Sequence, residues 1–372
     1  MRIAAYAQVH RTFHPTGVGK HILHMTRQIA TVPGVELQVA ATRADLDLFR
    51  KNAGHSAFGG LSVTAISWNR SALEKSWAFL RWPAIDGWCA DPAWIYSPSE
   101  VFVATRRSRL ATTVHCLNWF DPELPWYSNP ETRSTRRRLR MAWGPMFRRS
   151  DVILTVSEFY RRRIAALMGV EERRIAVVGN GVEDAFFTAG RSPPSGPVRP
   201  RPYVVVVGGL CERKGAPAVL AVARELLARS PETEIVVAGH TERDYLRATR
   251  ELPNVVHLGY VSAEDGLPRL LSGSIALLFL SRYETFGIPA VEAMAAGTPA
   301  IVSGHAALPE IVGDAGLVLE SDDPSEVVTR IAELRRDDRL RRDLVARGLE
   351  RASRFRWSAC AAAAVRAMRE RS

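Results

Sequence analysis

Short runs of apolar and β-branched residues recur along the chain, with helix-length segments between them. Continuous apolar runs of this kind are typical of strands that are buried on both faces of a parallel sheet. The amino terminus reads as a first buried strand, and further strands are predicted at 37–41, 94–96, 110–114, 152–156, 175–178, 203–207, 234–238, 255–258, 275–280 and 300–302. The pattern therefore predicts an α/β fold of doubly wound parallel sheets.

A proline-rich stretch separates these strands into two groups. Residues 188–202 contain five prolines, which fix φ and remove backbone donors, so neither a helix nor a central strand can continue through them. At 372 residues the chain also exceeds one ordinary core and suits two domains. We predict Rossmann-like domains at 1–187 and 203–355, a linker at 188–202, and an alanine-rich helix within 356–372. Ligands are expected beyond the carboxyl ends of the strands.

A net charge of +11 calls for an anionic partner, whether nucleic acid, lipid or a small substrate. Much of the excess is arginine between Arg133 and Arg163. One interpretation is a basic face on acidic lipid headgroups, with Trp143, Met146 and Phe147 inserting shallowly. The other is a solvated helix face whose aromatic residues belong to the core. The sequence contains neither a signal-peptide core nor an apolar run of bilayer length, so we expect a soluble or peripheral protein.

The four cysteines lie far apart and match no metal-binding spacing, which fits a reduced, cytoplasmic setting. Asp45 and Asp47 form an Asp-x-Asp match in a polar, helix-like stretch, and we interpret both as solvated surface. No metal and no other cofactor is therefore expected.

The segment 281–299 places two glutamates around a helix N-terminus. Glu284 follows an apolar strand, and Glu292 is predicted in the first turn of a helix that Pro289 opens. Carboxylates in these positions could hold the hydroxyls of a sugar and of a ribose, as in a nucleotide-sugar site. The simpler interpretation is one surface Glu and one Glu that complements the helix dipole. The amides expected to point out of the helix end and to attract phosphate are those of Gly287 and Ile288.

Glycines and cations follow other predicted strands. The strand 203–207 runs into a loop that contains Gly209, Arg213 and Lys214. Arg can grip a diphosphate through two parallel hydrogen bonds while Lys adds a point charge, and both would stabilise a departing nucleoside diphosphate. The alternative is an exposed loop with two basic residues.

Two further features lie in the first half of the chain. Gly17 and Gly19 open a helix after the first strand, where a backbone must approach a ligand, but their loop matches neither a Walker loop nor a dinucleotide fingerprint. His115 ends the strand 110–114 and could hydrogen-bond a sugar hydroxyl, although a lone His is more often structural.

In order and spacing, these motifs resemble the Glu-x7-Glu signature, the Arg-Lys-Gly loop and the Gly-x-Gly loop of the retaining family 4 glycosyltransferases, which have the two-domain GT-B fold. The resemblance implies a metal-independent transferase with its active site in the cleft between the domains. It implies that the first domain binds the acceptor, that the second binds the nucleotide sugar, and that a last helix crosses back to the first domain. It implies catalytic roles for Glu284, His115, Arg213 and Lys214. The residues that it implies in donor binding are Gly17, Gly19, Gly209, Val261, Phe286, Gly287, Ile288 and Glu292.

This sequence departs from the family pattern at two positions. Gly209 stands where many members carry Arg, so Arg213 and Lys214 would hold the phosphates without it. Cys116 stands where relatives often carry an acidic residue, which concerns the acceptor side.

Within the family, the run Tyr-Glu-Thr-Phe-Gly-Ile-Pro with Glu-Arg-Lys-Gly is most similar to bacterial mannosyltransferases that build surface polysaccharides on lipid carriers. That similarity implies GDP-mannose as the first donor, a UDP-sugar as the second, a lipid-linked glycan acceptor, and a cytoplasmic enzyme at the inner face of the membrane. The alternatives are a glucosyl- or galactosyltransferase that uses a UDP-sugar, and a non-catalytic sugar-nucleotide-binding relative.

Two other classes fit less well. A nicotinamide oxidoreductase would need a complete dinucleotide fingerprint, and a nucleic-acid-binding protein would need a helix-turn-helix, zinc or aromatic-on-sheet signature; the sequence has neither. No nucleic-acid partner is expected.

Overall fold

The computed structural model describes residues 1–8, 16–51, 58, 60–321 and 323–371. It divides into two compact units. The first consists of Met1–Gly181 with Trp357–Ser372, and the second of Val182–Arg356.

The first unit is built on a seven-stranded parallel sheet. Its strands are β1 (Arg2–Tyr6), β2 (Glu36–Thr42), β3 (Ser62–Ile66), β4 (Trp94–Ser97), β5 (Arg109–Val114), β6 (Val152–Thr155) and β7 (Ile175–Val177). Their spatial order is β3-β2-β1-β4-β5-β6-β7. The strand β3 is not among the predicted strands, because this edge strand leaves Ser62 and Val63 exposed and so lacks a continuous apolar run.

Helices and short 3-10 turns connect these strands. The helices are α1 (Gly17–Ile29), α2 (Arg43–Lys51), α3 (Arg70–Leu80), α4 (Pro130–Arg149) and α5 (Glu158–Met168), and the terminal helix is Trp357–Arg369. The 3-10 turns are Ile85–Trp88, Asn118–Phe120, Pro125–Ser128 and Glu172–Arg174. The terminal helix packs on α1, and small residues such as Ala361 and Ala364 allow it to lie close to the sheet.

The second unit is built on a six-stranded parallel sheet. Its strands are β8 (Tyr203–Val207), β9 (Glu234–Ala238), β10 (Val255–Gly259), β11 (Leu277–Phe279), β12 (Ala300–Val302) and β13 (Leu317–Val318). Their spatial order is β10-β9-β8-β11-β12-β13. The strand β13 is not among the predicted strands, because it is only two residues long and too short to show a pattern.

Eight helices of the described residues belong to this unit. They are α6 (Asp184–Arg191), α7 (Ala216–Arg229), α8 (Arg243–Ala248), α9 (Leu267–Ser272), α10 (Ile288–Ala295), α11 (Leu308–Val312), α12 (Pro324–Arg336) and α13 (Asp338–Ser353), with 3-10 turns at Glu212–Lys214, Thr249–Glu251 and Gly313–Ala315. Alternate strand residues such as Val204 and Val206 share a core with α7 and α12.

The chain passes between the units at Gly181 and again at Arg356, whereas the proline pattern predicts a linker at 188–202. The observed boundary precedes the predicted linker because α6 packs against α9 and α10 of the second unit. A Cβ at Gly190 would lie 2.2 Å from the Ala295 carbonyl oxygen, so the backbones of α6 and α10 are in direct contact. The proline-rich stretch therefore follows a helix of the second unit and does not begin outside it.

The structure decides between the two interpretations of the arginine-rich region and corrects two other expectations for the first unit. Phe147 on α4 is buried, as the core interpretation predicts, and Met146 is buried as well, so neither residue inserts into lipid. Within the arginine-rich region, Arg163 forms an ion pair with the buried Asp121, so it does not contribute to a free basic face. Asp45, predicted to be solvated, is also buried, and it forms an ion pair of 2.9 Å with Arg70.

Among the helices of the described residues, none is both long enough and apolar enough to cross a membrane.

Each sheet has one point at which the strand order reverses. In the first sheet it lies between β1 and β4, and in the second between β8 and β11. Since loops on the two sides of such a point leave in opposite directions, the carboxyl ends of these strands border the crevice in which doubly wound sheets bind ligands.

Candidate active site

The loop after β8 begins with two glycines, at the point where the strand order of the second sheet reverses. Gly208 and Gly209 have φ values of +97° and +77°, a conformation that disfavours any side chain. A Cβ at Gly209 would lie 1.7 Å from the carbonyl oxygen of His240, in the loop after β9. An arginine at position 209 would therefore not fit this backbone, and the cations of the site come from elsewhere.

Arg213 and Lys214 follow in the 3-10 turn Glu212–Lys214, directly before α7. Lys214 lies across the glycine loop, since a Cβ at Gly208 would be 2.1 Å from its Nζ, and the ammonium stands 5.8 Å from the ring centre of Phe279 on β11. Arg213 Nη1 is 3.3 Å from Glu284 Oε1 and donates to the Tyr283 carbonyl at 3.3 Å. The two predicted cations thus lie at one edge of the sheet.

Glu284 lies in the loop between β11 and α10. Its backbone oxygen accepts from the amide of Ala307, and its side chain is 16% exposed. Arg213 is held to the same loop by its backbone, since its carbonyl accepts from the Arg282 amide at 3.0 Å. The structure therefore brings Glu284, Arg213, Lys214 and Gly209 together, although they come from two segments about 70 residues apart in sequence.

The helix α10 begins at Ile288, with Gly287 as its N-cap at φ +106°. A Cβ at Gly287 would lie 2.6 Å from Leu308 Cδ2, so this turn also excludes a side chain. Phe286 was predicted to contact the donor, but its ring is buried and packs edge-to-face with Phe355 at 5.4 Å. Any donor contact at this position would have to come from its backbone.

Glu292 lies one residue further from the helix start than predicted. It is the fifth residue of α10 and so falls just past the first turn, because the helix begins at Ile288 and not at Pro289. Its side chain is only 2% exposed.

Val261 stands just beyond the carboxyl end of β10 and is half-buried. The loops after the neighbouring strands meet tightly beside it: Gly239 donates to the Gly259 carbonyl at 2.6 Å, and a Cβ at Gly239 would lie 2.4 Å from the Gly209 nitrogen. The ends of β8, β9 and β10 therefore form one continuous backbone surface.

In the first unit, Gly17 and Gly19 lie in the first turn of α1, as predicted for a helix that opens there. The side chain of Thr16 caps the helix by accepting from the amide of Gly19 at 3.1 Å. Gly17 is exposed and Gly19 is buried. Of this pair, Gly17 is the residue that a ligand can reach directly.

His115 follows β5 and is 5% exposed. Its Nε2 donates to the Pro98 carbonyl at 2.9 Å, and the Glu100 carboxylate accepts from its backbone amide at 2.5 Å and from that of Cys116 at 2.9 Å. A carboxylate therefore does stand beside position 116, but it comes from the loop after β4.

His115 also contacts a histidine that is not among the predicted site residues. The ring of His21, on α1, meets it edge-on with the centroids 4.5 Å apart. His21 Nδ1 donates to Asn180 Oδ1 at 2.8 Å, while Nε2 accepts from the Tyr96 hydroxyl at 3.2 Å. Burial holds the pKa of His21 well below its usual value, and the neighbouring His115 lowers it further, so the ring is neutral.

Comparisons with known proteins identify the class to which this fold and these motifs belong. Residues 15–186 match the model for Glycosyltransferase Family 4, and residues 192–351 match that for Glycosyl transferases group 1. The two matches together span most of the chain.

Two curated relatives are mannosyltransferases. The chain is 27% identical to the O-antigen chain mannosyltransferase B of Escherichia coli over 93% of each protein. It is 32% identical to the phosphatidyl-myo-inositol mannosyltransferase of Mycolicibacterium smegmatis, over 57% of this chain and 55% of that protein.

Solved structures with the same fold span the whole chain. Sucrose-phosphate synthase from Thermosynechococcus elongatus superimposes with a TM-score of 0.73 at 18% identity, covering 100% of this chain and 98% of that one. Anabaena HepE in complex with UDP and glucose gives 0.68 at 16% identity, covering 100% of both. The predicted GT-B fold is confirmed. The chain belongs to the group 1, family 4 glycosyltransferases.

Proposed function

We propose that the protein transfers a hexose, with mannose as the first choice, from a nucleotide diphosphate sugar to a lipid-linked or saccharide acceptor in surface polysaccharide synthesis. The observation that carries this proposal is the placement of Glu284, Arg213 and Lys214 around a glycine loop at the reversal point of the second sheet. The mannosyltransferase names of the two curated relatives support the choice of sugar.

In the proposed reaction, the acceptor hydroxyl attacks the anomeric carbon from the face that the diphosphate leaves. The bond from the acceptor oxygen to carbon forms, the bond from carbon to phosphate oxygen breaks, and the departing phosphate takes the acceptor proton. Configuration is therefore retained without a separate protein base.

The residues of the second unit divide the work. Glu284 holds hydroxyls of the donor sugar, and Glu292 is assigned to the ribose. Arg213 grips the diphosphate, and Lys214 stabilises the charge that grows on it as the sugar departs. Arg213 is paired with Glu284. Binding of the diphosphate would draw the guanidinium toward phosphate and free the carboxylate for sugar hydroxyls. No metal is required in this scheme, because Arg213 and Lys214 supply the positive charge.

In the first unit, Gly17 lies at the N-terminal end of α1, where a phosphate can approach the backbone. His115 is assigned to the donor sugar, and the network around His21 fixes the position of its ring.

The first test is a calorimetric and thermal-shift screen of the purified protein against GDP, UDP, ADP and their common sugar conjugates, without added metal. Donor hydrolysis is followed in the same samples. Selective stabilisation by GDP and GDP-mannose, with slow release of mannose, is the expected result. Stabilisation by UDP and a UDP-hexose would replace mannose by glucose or galactose. Binding without turnover for any donor would indicate a non-catalytic relative, and no response across the panel would overturn the assigned site.

We also propose that the enzyme works in the cytoplasm, attached to the inner face of the membrane through its first unit. The residues available for insertion differ from those suggested by the sequence. At the end of α3, Phe79, Leu80 and Trp82 are 58%, 73% and 61% exposed. The helix α3 packs on α4, whose exposed arginines include Arg137 and Arg138. An apolar tip beside a basic helix suits an anionic lipid surface.

Sedimentation with vesicles tests this attachment. The wild-type protein is expected to bind vesicles that contain phosphatidylglycerol and not those of phosphatidylcholine alone, and the double substitution Leu80→Ser, Trp82→Ser should abolish binding. Equal binding of the wild type to both kinds of vesicle, or no binding to either, would contradict the proposal.

A further inference from the structure

A cavity of about 350 Å³ opens in the second unit at the amino edge of its sheet. Its lining includes residues just before β8, residues between α9 and β11, and Arg341 in the first turn of α13. Because β8 is five residues long, about 16 Å of extended chain separates this cavity from the glycine loop at the other edge. The cavity is therefore distinct from the candidate active site.

Three arginines line the cavity, and none of its described lining residues is acidic. Arg199 and Arg201 come from the proline-rich stretch before β8, and Arg341 comes from α13. Among the described residues, the only carboxylate that pairs with these arginines is that of Glu234, which lies 3.0 Å from Arg199. Neither Arg201 nor Arg341 forms an ion pair with a described residue. The cavity therefore has an excess of positive charge.

Two of the three guanidinium groups are already held in place. Arg341 Nη1 donates to the Ile275 carbonyl at 2.7 Å, and its Nη2 donates to the Ser274 carbonyl at 3.0 Å. Arg199 donates to Glu234 through Nε at 3.2 Å and through Nη2 at 3.0 Å. Groups held in this way lose little entropy when a ligand binds, so the cavity is preorganised.

The charge of Arg341 is half-buried without an ion pair to balance it. Burial lowers the pKa of its guanidinium, and the negative charge of Asp338 on the same helix offsets this only in part. Because a charge loses hydration on burial, buried charges in proteins are normally paired. An anion bound in the cavity would supply the partner that Arg341 lacks.

The geometry of arginine favours phosphate among anions, since one guanidinium can donate two parallel hydrogen bonds to phosphate oxygens. The volume of the cavity also falls in the range of sites that bind small molecules. We propose that this cavity is a second anion site, in which Arg201 and Arg341 hold a phosphate group of a ligand other than the sugar donor. This site does not depend on the proposed function, because none of its residues belongs to the candidate active site.

Isothermal titration calorimetry of the full-length protein with inorganic pyrophosphate tests the site. The wild type should bind pyrophosphate, and Arg201→Glu should weaken that binding about tenfold or more, because an attractive charge becomes a repulsive one. Arg201 is exposed, so the variant should keep the melting temperature of the wild type. The matched control is Arg224→Glu, which makes the same change of charge at an exposed arginine of α7 outside the cavity and should leave the affinity unchanged.

Arg341→Lys provides a second variant, which keeps the charge and removes the planar fork. Its affinity for pyrophosphate should fall several-fold, since Lys cannot offer two parallel donors. The variant also loses two bonds to carbonyl oxygens, so its melting temperature should fall as well. Arg201→Glu therefore decides the test, because its effect on affinity is not mixed with a loss of stability.

Pyrophosphate also suits the cations of the candidate active site, so the titration is repeated in the Lys214→Ala variant. Binding that persists there, and that the addition of Arg201→Glu weakens, would support the cavity. The inference is wrong if Lys214→Ala alone removes all binding, if Arg201→Glu changes the affinity no more than Arg224→Glu does, or if the wild type binds no pyrophosphate. A failed donor screen leaves these readouts intact, since they use no nucleotide.

Vesicles determine whether the phosphate belongs to a soluble compound or to a lipid headgroup. The double substitution Leu80→Ser, Trp82→Ser is expected to abolish binding to phosphatidylglycerol vesicles, which would assign the cavity to a soluble phosphate compound. Only vesicle binding that remains in this variant, and that disappears when Arg201→Glu is added, would assign the cavity to a lipid headgroup.

Discussion

The two parallel sheets build their sites from different materials. In the second unit, the end of β8 is a backbone cradle, in which Gly208, Gly209 and Gly239 pack so closely that a Cβ at any of them would meet its neighbours. In the first unit, the ends of β4 and β5 carry a buried network of side chains that joins His21 to Tyr96 and Asn180.

This difference teaches where each site is vulnerable. A backbone cradle does not depend on protonation, but it fails when a glycine acquires a side chain. A network of buried, hydrogen-bonded side chains depends instead on the protonation state of its histidine. Mutation and pH should therefore affect the two units unequally.

The largest effect is expected from replacing Glu284, which lies beside the backbone cradle. Glu284→Ala should lower the rate of transfer about 1,000-fold, equivalent to about 4 kcal/mol, because the donor sugar loses its carboxylate partner. Stability should change by less than about 1 kcal/mol, since the ion pair with Arg213 is partly exposed. The donor found by the nucleotide screen serves for the assay. The control is Glu333→Ala, which breaks a comparable surface pair with Arg330. Near-normal turnover in Glu284→Ala would remove this residue from the site.

The next effect tests the cradle directly. Gly209→Ala places a Cβ against the His240 carbonyl at a positive φ, which should destabilise the second unit by about 3 kcal/mol and abolish nucleotide binding. Such a loss corresponds to a fall in Tm of about 9 °C. Calorimetry checks both effects. Gly196→Ala is the matched control, because nothing lies within 4 Å of a Cβ there and the variant should behave as wild type. A normal Tm in Gly209→Ala would refute the cradle.

The same contrast explains how much of each site could be predicted from the sequence. In the second unit, the signals are local: a strand runs into Gly-Gly, then into Arg213 and Lys214, and Glu284 stands before a glycine that starts a helix. Backbone sites need consecutive residues of special types, so motifs can locate them. The predicted position of Glu292 in the helix was wrong by one residue, because the exact start of a helix depends on the packing around its N-cap, here Gly287.

In the first unit, the partners are far apart in the chain. His21 and Asn180 are 159 positions apart, and Glu100 reaches the amides of His115 and Cys116 from the loop after β4. A lone His or Glu carries no local signal of such a contact, so His21, Tyr96 and Glu100 were missed. The burial of Met146 and Phe147 likewise has no local signal in the sequence, so it becomes clear only in the structure.

Arg213→Lys sharpens the comparison by keeping charge while changing geometry. We expect transfer to fall about tenfold, or about 1.4 kcal/mol, because Lys cannot offer two parallel donors to a diphosphate. Steady-state kinetics with the identified donor measures this loss. Arg282→Lys serves as the control, since Arg282 is exposed and pairs with Glu212 outside the cradle. If the two lysine variants are equally active, Arg213 acts as charge alone.

The smallest effect is the pH response of the first unit. Because the folded-state pKa of His21 is depressed by burial, the unfolded chain takes up a proton that the native protein excludes. Stability is therefore full above the unfolded pKa of about 6.5 and is lost as pH falls below it, by about 1 kcal/mol between pH 6.5 and 5.5. Across this range, the melting temperature should depend less on pH in His21→Gln, whose side chain stays neutral, than in the wild type. His257→Gln in the second unit is the comparison, because burial also lowers the pKa of that half-buried histidine. Its removal should reduce the pH dependence of the melting temperature by a smaller amount. Equal flattening by the two variants would show that the pH response does not distinguish the units.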